Sequence, residues 1–421
     1  MIPKDTQIDL NSVRRRLERK EETLSPYATR SMDAVRGIPE LPSATRTEFQ
    51  RDRDRVIHAN SFRRLKHKSQ VFVAPQGDHF TTRLTHVIEV SQVGRSIARG
   101  LNLNEDLVEA IGLGHDLGHT PFGHIGESVL DQVLVGGFHH SRHSVRLITQ
   151  LEKDGKGLNL NEDLVEAIGL GHDLGHTPFG HIGESVLDQV LVGGFHHSRH
   201  SVRLITQLEK NGKGLNLTED VIEGIRHHSK PEGKFLSRDA VGNLTLEAQI
   251  VRISDALAYL AHDILDALRS DFIQLQDLPS EAVSSLGERH SQRVNTVVEN
   301  VIESSWDCSG EVDLSDDVKP WIRMSPELGQ IVTDLRVFMF ERFYHPISAS
   351  LEGRKAAAIV GVLFEHFKSN PDLIPDWLRE LSGSADRAAA DYVCGMTDNY
   401  ALIMAEQIEP GLSDGVFQGR I

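Results

Sequence analysis

The chain has 421 residues, of which 39% are hydrophobic and 25% are charged, and its formal net charge is −16 at pH 7. This composition is typical of a globular protein with a large core, and the acidic balance argues against non-specific nucleic-acid binding by the whole chain. Its two cysteines, Cys308 and Cys394, and the absence of an apolar leader or a long apolar run predict a cytoplasmic, soluble protein without a disulfide scaffold.

The N-terminal region, residues 1–75, is predicted to be a helical and basic segment that packs on the core. Between Arg51 and Lys68 it holds seven Lys or Arg against two Asp. In an acidic protein such a segment favours a local anionic ligand such as phosphate. A solvated helix face is the alternative interpretation.

An internal repeat occupies the middle of the chain. Residues 100–156 recur as residues 157–213, and the copies differ only where Asp154 in the first becomes Asn211 in the second. Repeats of a solenoid drift apart except at packing positions, so this pattern indicates a recent tandem duplication or an assembly error. Function is therefore interpreted from one copy.

Apolar residues recur at helical spacing along most of the chain, and alternating strand patterns are scarce. Helices are predicted around Val87 to Ile97, Leu107 to Leu113 and Val145 to Leu151, and over residues 244–270, 355–369 and 386–407. A further helix is predicted to follow His124 and to end at Gly136-Gly137. The acidic stretch 297–319 is predicted to be an internal loop. The fold class is therefore all-α, with a core at residues 76–270 and further helices at residues 271–421.

Two imidazoles and two carboxylates on three of these helices predict a metal site. His86 lies on the first helix, His115 and Asp116 end the second, and Asp255 lies on a later one. Mixed nitrogen and oxygen ligands suit a first-row divalent metal or Mg²⁺. Taken singly, each residue is more often a hydrogen-bonded packing residue.

The segment GHTPFGHIGE, residues 118–127, concentrates further chemistry. It holds His119, His124 and Glu127, and its glycines and proline are expected to suppress regular helix and to direct these side chains into a cavity. The alternative is a polar turn between helices, capped by His and Glu.

Other polar residues share faces with the expected ligands. Tyr259 and Asp263 follow Asp255 at i+4 and i+8, so all three lie on one helix face. Arg83, three residues before His86, can reach a phosphate on a bound metal. Gln70 can offer hydrogen bonds to a sugar hydroxyl, although a loop glutamine is usually solvated.

The order His86, His115-Asp116, Asp255 resembles the signature of the HD phosphohydrolase superfamily. Six blocks, namely SPYATRSMDAVRG, RTEFQRDRDRVIHANSFRRLKHKSQVF, TTRLTHVIEV, HDLGHTPFGHIGE, EAQIVRISDALAYLAHD and DYVCGMTDNYAL, are similar to the deoxyguanosine triphosphate triphosphohydrolase-like family. The resemblance covers the whole chain except the extra copy. It implies an HD-domain helical bundle and hydrolysis of dGTP or another dNTP to a deoxynucleoside and tripolyphosphate.

The resemblance also implies the roles of the site residues. A divalent metal, Mg²⁺ or Mn²⁺, would be held by His86, His115, Asp116 and Asp255. Proton transfer would be assisted by His124 and Glu127. The nucleotide would be surrounded by Gln70, Arg83, His119, His140, Tyr259 and Asp263. The implied partners are a dNTP substrate, a possible dNTP activator and further copies of the chain, without a membrane; nucleic acid is possible but not predicted.

Two features leave alternatives open. Where the family pattern is FEHNxQS, this chain has FHHSRHS at residues 138–144, so base preference can differ. His172 and Asp173 of the second copy can replace His115 and Asp116, although the first pair keeps the shorter connection to the His86 helix. A catalytically impaired nucleotide-binding or nucleic-acid-binding protein and an HD phosphodiesterase are the alternative functions.

Overall fold

The structure of the protein is a computed structural model that describes residues 9–35, 40–58, 60–68, 70–71, 80–116, 119–122, 124–134, 138, 140, 143, 238–241, 244–315, 318–382, 384–394, 396–414 and 416–417. Every regular element in these ranges is a helix, and no extended strand occurs among them. The predicted all-α class is therefore confirmed.

In chain order the α-helices of these ranges are α1 (Asn11–Glu21), α2 (Glu48–His58), α3 (Asn60–Arg64), α4 (Arg83–Gly100), α5 (Glu105–Gly114), α6 (His124–Val133), α7 (Arg238–Val241), α8 (Leu246–Arg269), α9 (Ser280–Leu286), α10 (His290–Ser304), α11 (Pro326–Met339), α12 (His345–Ser348), α13 (Leu351–Ser369), α14 (Asp376–Ser382), α15 (Ala385–Cys394) and α16 (Asp398–Ile408). A π-helical segment, Phe340–Tyr344, joins α11 to α12. None of these helices is long and apolar enough to cross a membrane.

The first of two large hydrophobic cores, called the first core below, contains α4, α5 and α8 together with α9 to α12. Its fully buried side chains include Val87 and Val90 of α4, Leu107 of α5, and Ile250 and Ile253 of α8. These residues recur every three or four positions, so each helix turns one apolar stripe inward. Their burial brings polar residues of the three helices to one place.

Two glycines allow α4 and α5 to approach closely. A Cβ atom on Gly112 of α5 would lie 2.8 Å from the Cα atom of Ser91, and one on Gly94 of α4 would lie 2.7 Å from a methyl carbon of Val108. A larger residue at Gly112 would meet backbone and push the helices apart. The close packing matters for function because His86 lies on α4 and His115 directly follows α5.

The second core lies between α6 and the C-terminal helices. It joins Leu130 of α6 to Val360 and Phe364 of α13, Val393 of α15 and Leu402 of α16. Phe122, which precedes α6, has a left-handed φ of 61° and donates its amide hydrogen to the side chain of Asp398 at the start of α16. The segment that contains Glu127 is thus supported by the end of the chain.

Several of the helix predictions are confirmed, and three are wrong in detail. Helices α4, α5, α8 and α13 lie where they were predicted. The stretch 386–407 is two helices, because the chain breaks between α15 and α16. The stretch 297–319 was predicted to be a loop, but its first residues belong to α10. Val297 and Val301 form a buried face of that helix despite the acidic composition of the stretch. The predicted helix around Val145 to Leu151 lies outside the described residues.

The third correction concerns residues 118–127. The glycines and proline of this turn were expected to suppress regular helix, and a helix was expected to follow His124; α6 begins at His124 itself, so Glu127 lies in the helix and not in the turn. Residues 119–122 are non-helical, as expected. Helix resumes after them because the apolar positions of α6, including Leu130, pack at helical spacing in the second core. The proposed division of the chain at residues 75 and 270 stays a prediction.

Candidate metal centre

Three helices of the first core bring the expected ligands together. His86 lies one turn into α4, His115 is the C-terminal capping residue of α5 with Asp116 next to it, and Asp255 lies in the middle of α8. All four are buried, with at most 2% of each residue exposed. Polar caps at Thr82, Asn104 and Thr245 fix where the three helices begin, and such caps contribute about 1 kcal/mol each.

The side chains of His86, His115 and Asp255 converge on one point. The Nε2 atoms of the two histidines are 3.2 Å apart, and Oδ1 of Asp255 is 3.2 Å from His86 Nε2 and 4.0 Å from His115 Nε2. Ligating atoms of His86, His115 and Asp116 all lie within 4.8 Å of one another. The site thus offers nitrogen and carboxylate ligands from three different helices.

The hydrogen bonding of His115 fits a metal ligand. Its Nδ1 atom donates to the carbonyl oxygen of Gly112 at 2.7 Å, which leaves Nε2 as the acceptor nitrogen facing His86. Burial lowers the pKa of His115 to about 4, helped by the neighbouring His86, so the ring is neutral at pH 7. Nitrogens bound to one metal at about 2.1 Å lie about 3.0 to 3.4 Å apart, and the observed separation matches. The residues therefore fit a divalent cation.

Asp116 is held by a buried arginine. Nη1 of Arg83 donates to Oδ2 of Asp116 at 2.7 Å, and neither side chain is exposed. Burial alone would raise the pKa of Asp116, but the Arg83 guanidinium together with the neighbouring His115 and His86 lowers that pKa to about 2. The carboxylate is thus ionised across the physiological pH range. The Nε and Nη2 atoms of Arg83 are buried without a hydrogen-bond partner among the described residues.

A second cluster lies on the other side of Asp116. Oδ1 of Asp116 is 3.5 Å from Nε2 of His119 and 3.9 Å from Nε2 of His140. The two imidazole rings are stacked, with centroids 3.5 Å apart. Glu127 binds His140 twice, because its carboxylate lies 2.6 Å from both the backbone nitrogen and the Nδ1 atom. The Nε2 atom of His140 is therefore directed toward Asp116.

The sequence matches the HD domain over residues 83–157 and again over residues 137–260, and the phosphohydrolase-associated domain over residues 322–407. A relative from Caldanaerobacter subterraneus subsp. tengcongensis is 40% identical over 93% of this chain and 94% of its own length. The chain belongs to the deoxyguanosinetriphosphate triphosphohydrolase-like family. A relative from Desulfatibacillum aliphaticivorans is 37% identical over 94% of this chain and 98% of its own length. One from Clostridium tetani is 35% identical over 95% of this chain and 97% of its own length. All three relatives bear the description "deoxyguanosinetriphosphate triphosphohydrolase-like protein".

Membership of this family settles the broad chemistry. The chain is a hydrolase of the HD phosphohydrolase type, and HD domains bind divalent metals. The two HD matches overlap, and together they span both copies of the internal repeat. The described site residues from the repeat all belong to the first copy, and the second copy, including His172 and Asp173, lies outside the described residues.

The remaining predicted site residues of this triphosphohydrolase-like chain are placed unevenly. The Tyr259 ring lies edge-on to His86, with centroids 6.4 Å apart, and Asp263 accepts a 2.7 Å hydrogen bond from the hydroxyl of Tyr344. Gln70 is buried, and its Oε1 atom has no hydrogen-bond partner within the described ranges. His124 begins α6, but its side chain lies outside the described residues.

Part of the basic segment is used for structure. Arg51 is buried and pairs with Glu40 at 2.6 Å and Glu48 at 2.9 Å, while Arg53 binds Asp54 at 2.7 Å. These two arginines therefore neutralise acids of the protein, and the expectation of an anionic ligand does not apply to them. Lys68 differs, because it is buried and its Nζ atom donates to the backbone carbonyl of His119 beside the second cluster.

Two residues near the metal cluster were missed from the sequence. His262 lies 2.9 Å from His86, and Tyr344 binds Asp263. A signal for His262 existed, since it follows Asp255 by seven residues, or two helical turns, on α8. Tyr344 carried no comparable signal because it lies in the π-helical segment, far away in sequence.

Proposed function

We propose that this chain hydrolyses a deoxynucleoside triphosphate, dGTP or another dNTP, to a deoxynucleoside and tripolyphosphate. The observation that carries the proposal is the convergence of His86, His115 and Asp255 at 3.2 to 4.0 Å, beside an Asp116 that Arg83 keeps ionised. The names of the relatives support the substrate class. Mg²⁺ and Mn²⁺ suit a site of this mixed composition.

His86, His115, Asp116 and Asp255 would hold the cation. When bound, a divalent cation supplies Lewis acidity and neutralises charge at the α-phosphoryl group. Arg83 adds a fixed positive charge next to it, and its buried Nε and Nη2 atoms are donors suited to phosphate oxygens. Lys68 places a second cationic group beside His119. The triphosphate is expected to lie along this side of the site.

Proton transfer is assigned to the second cluster. Cleavage at the α-phosphorus consumes one water, and the departing 5′ oxygen needs a proton. The resemblance pairs Glu127 with His124 in proton transfer, but the carboxylate of Glu127 lies 2.6 Å from Nδ1 of His140. We therefore add His140 to His124 and Glu127 as a proposed proton carrier, with Glu127 orienting its ring. Tyr259, Asp263 and Gln70 would line the sugar and base.

Product analysis tests this function. Purified protein is incubated with each dNTP and Mn²⁺ or Mg²⁺, and the products are separated by anion-exchange chromatography. Because the repeat supplies two His-Asp pairs, the control is the His115→Ala/His172→Ala double variant. Deoxynucleoside and tripolyphosphate, formed by the wild type and lost in the variant, are the expected result. A monophosphate or orthophosphate product would indicate a different HD phosphohydrolase, and no turnover with any dNTP, alone or mixed, would contradict the proposal.

A further inference from the structure

The helix α8 contacts both ring nitrogens of His86. Asp255 approaches from one side, with Oδ1 3.2 Å from Nε2, and His262 approaches from the other, with its Nε2 atom 2.9 Å from Nδ1. The two contacting residues are seven positions apart and so share one helix face. His86 and His262 are both buried, with 1% and 2% of each residue exposed. Solvent is therefore not available to replace either contact.

We propose that His262 is a positioning residue, which together with Asp263 fixes the tautomer and ring orientation of His86 so that its Nε2 atom faces the metal. The contact continues beyond His262, since its Nδ1 atom is 2.9 Å from Oδ1 of Asp263. A chain of three side chains thus runs from the carboxylate of Asp263 through two imidazoles to the metal cluster. This inference rests on the proposed metal ligands.

The proton positions along this chain follow from its two ends. A metal ligand presents an unprotonated nitrogen, so His86 carries its hydrogen on Nδ1 and donates it to Nε2 of His262. Nε2 of His262 must then be an acceptor, which places the hydrogen of that ring on Nδ1. That hydrogen faces the Asp263 carboxylate. This arrangement places a donor opposite an acceptor at both contacts, from Asp263 to His262 and from His262 to His86.

The opposite arrangement is disfavoured in the metal-bound protein. If His262 donated from Nε2 to Nδ1 of His86, the hydrogen of His86 would sit on Nε2 and block the ligand position. Nδ1 of a neutral His262 would also turn a lone pair toward Asp263, at 2.9 Å from a carboxylate oxygen. Two acceptors at that separation, buried together, are repulsive. Between the two neutral tautomers of His262, the contact with Asp263 therefore favours the one that leaves His86 Nε2 free for the metal.

Asp263 is itself held in place. Its Oδ2 atom accepts the hydroxyl hydrogen of Tyr344 at 2.7 Å, while Oδ1 faces His262. Tyr344 lies in the segment that follows α11. Residues of α4, of α8 and of this segment therefore all contribute to the chain of contacts that orients His86. Asp263 is also proposed to lie near the nucleotide. Binding of the nucleotide next to Asp263 and the affinity of His86 for the metal are thereby linked through His262.

Metal affinity of the full chain tests the inference. Titration calorimetry with Mn²⁺ alone, without nucleotide, is carried out on the wild type, His262→Leu and His262→Gln. Leucine removes both contacts, and we expect about 10- to 100-fold weaker binding. Glutamine can accept from His86 through its carbonyl oxygen and donate to Asp263 through its amide, so most of the affinity should return. The matched control is His366→Leu on α13, which lies against Phe367 outside this chain of contacts.

The outcomes separate the two proposals. If the wild type binds no metal, or if His86→Ala binds as well as the wild type, the proposed ligand set is wrong. If His86→Ala loses binding while His262→Leu retains wild-type affinity, only the positioning role is wrong. Loss in both His262 variants, with both folded by circular dichroism, would show that packing rather than hydrogen bonding matters and would also overturn it.

A second measurement avoids substitution at this buried position. In the Mg²⁺-loaded full chain, with histidine labelled by ¹⁵N, the tautomer of each ring is read from its nitrogen chemical shifts. We expect His262 to carry its hydrogen on Nδ1. A hydrogen on Nε2 of His262, alone or in a doubly protonated ring, would overturn the inference even if the Leu and Gln variants failed to fold.

Discussion

The two halves of the candidate site are supported by different parts of the molecule. His86, His115 and Asp255 are carried by α4, α5 and α8 of the first core. Glu127 is carried by α6, whose apolar side packs on α13, α15 and α16 in the second core. Asp116 lies between them, 3.5 Å from His119 of the second cluster and bound to Arg83 of the first.

From this difference in support we expect that metal binding and proton transfer can be altered separately. The metal side depends on three helices that pack through their own apolar stripes. The Glu127 side is supported by the C-terminal helices, because α6 packs against α13 and Asp398 binds the turn before α6. The phosphohydrolase-associated region, residues 322–407, therefore includes the helices that pack against the Glu127 side of the candidate site.

The largest effect is expected at Asp255. This residue lies outside the internal repeat, so no second copy can replace it. Asp255→Ala removes the carboxylate 3.2 Å from His86, and we expect loss of metal binding together with a fall in turnover of about 10³-fold or more. Metal content and dNTP hydrolysis are measured on the same sample. Glu299→Ala removes an exposed carboxylate on α10 and should leave metal content and turnover unchanged. Metal retained in the Asp255→Ala variant would contradict the assignment of the metal to the cluster on α4, α5 and α8.

A smaller and more selective effect is expected at Glu127. The Glu127→Gln/Glu184→Gln variant alters both copies, keeps the shape of the side chain and removes the charge next to His140. We expect turnover to fall about 10²-fold, because a poorly oriented imidazole transfers protons inefficiently. Mn²⁺ affinity should stay at the wild-type value. A parallel loss of metal affinity would show that the two clusters act as one unit.

The third prediction concerns acid stability of the second core. His143 is buried and lies 3.4 Å from Asp391 of α15, which also binds Arg387. Burial lowers the pKa of His143 to about 4, although Asp391 opposes the shift. In the unfolded chain His143 has an ordinary pKa near 6.5. Between pH 6.5 and 4 the unfolded chain therefore binds a proton at His143 that the folded chain does not bind. Stability is full above that window and is lost as pH falls through it.

Substitution of this histidine should reduce the acid sensitivity. The His143→Gln/His200→Gln variant covers both copies and restores the glutamine of the family pattern. Between pH 7 and pH 5, its free energy of unfolding should fall by about 2 kcal/mol less than that of the wild type. Urea unfolding with a chelator present measures this difference without a contribution from metal. Equal losses in the two proteins would mean that His143 is not the group responsible.

The sequence could predict the metal side because its signals are local. Helical spacing placed Val87 to Ile97 and Leu107 to Leu113 correctly, and the spacing of Asp255, Tyr259 and Asp263 placed them on one face of α8. Their convergence with His86 still required the family resemblance. Periodicity shows which face of a helix is buried, but it does not show which helix packs against it.

The second cluster was harder to predict because its contacts are not periodic. His140 and Glu127 are 13 residues apart, and α6 ends between them at Val133, so no spacing rule pairs them. His124 was the nearer candidate, since it precedes Glu127 by three residues. Lys68 and Arg51 looked alike in sequence, yet one approaches His119 and the other pairs with Glu40. Only tertiary packing separates such cases.

The smallest effect is expected from removing the second copy of the repeat. In the described structure α5, Asp116, His119, Glu127 and His140 all come from the first copy, while residues 157–213 lie outside the described ranges. The deletion of 157–213 joins Lys156 to Gly214, and this junction repeats the local sequence at Lys156–Gly157. Long insertions cost little in loop entropy, so their removal should change stability little.

We therefore expect the variant that lacks 157–213 to keep wild-type metal affinity and turnover. It should be at least as soluble as the full chain, because the deletion also removes the apolar segments LVEAIGL and VLDQVLV of the second copy. Solubility, Mn²⁺ titration and dNTP hydrolysis are compared with the full chain. A deletion of 100–156 leaves the same sequence apart from Asn211 in place of Asp154, so it should behave identically and serves as the control. If both deletion variants lose solubility and activity together, a single copy of the repeat does not suffice for the fold, and the two cores need packing contacts from the other copy.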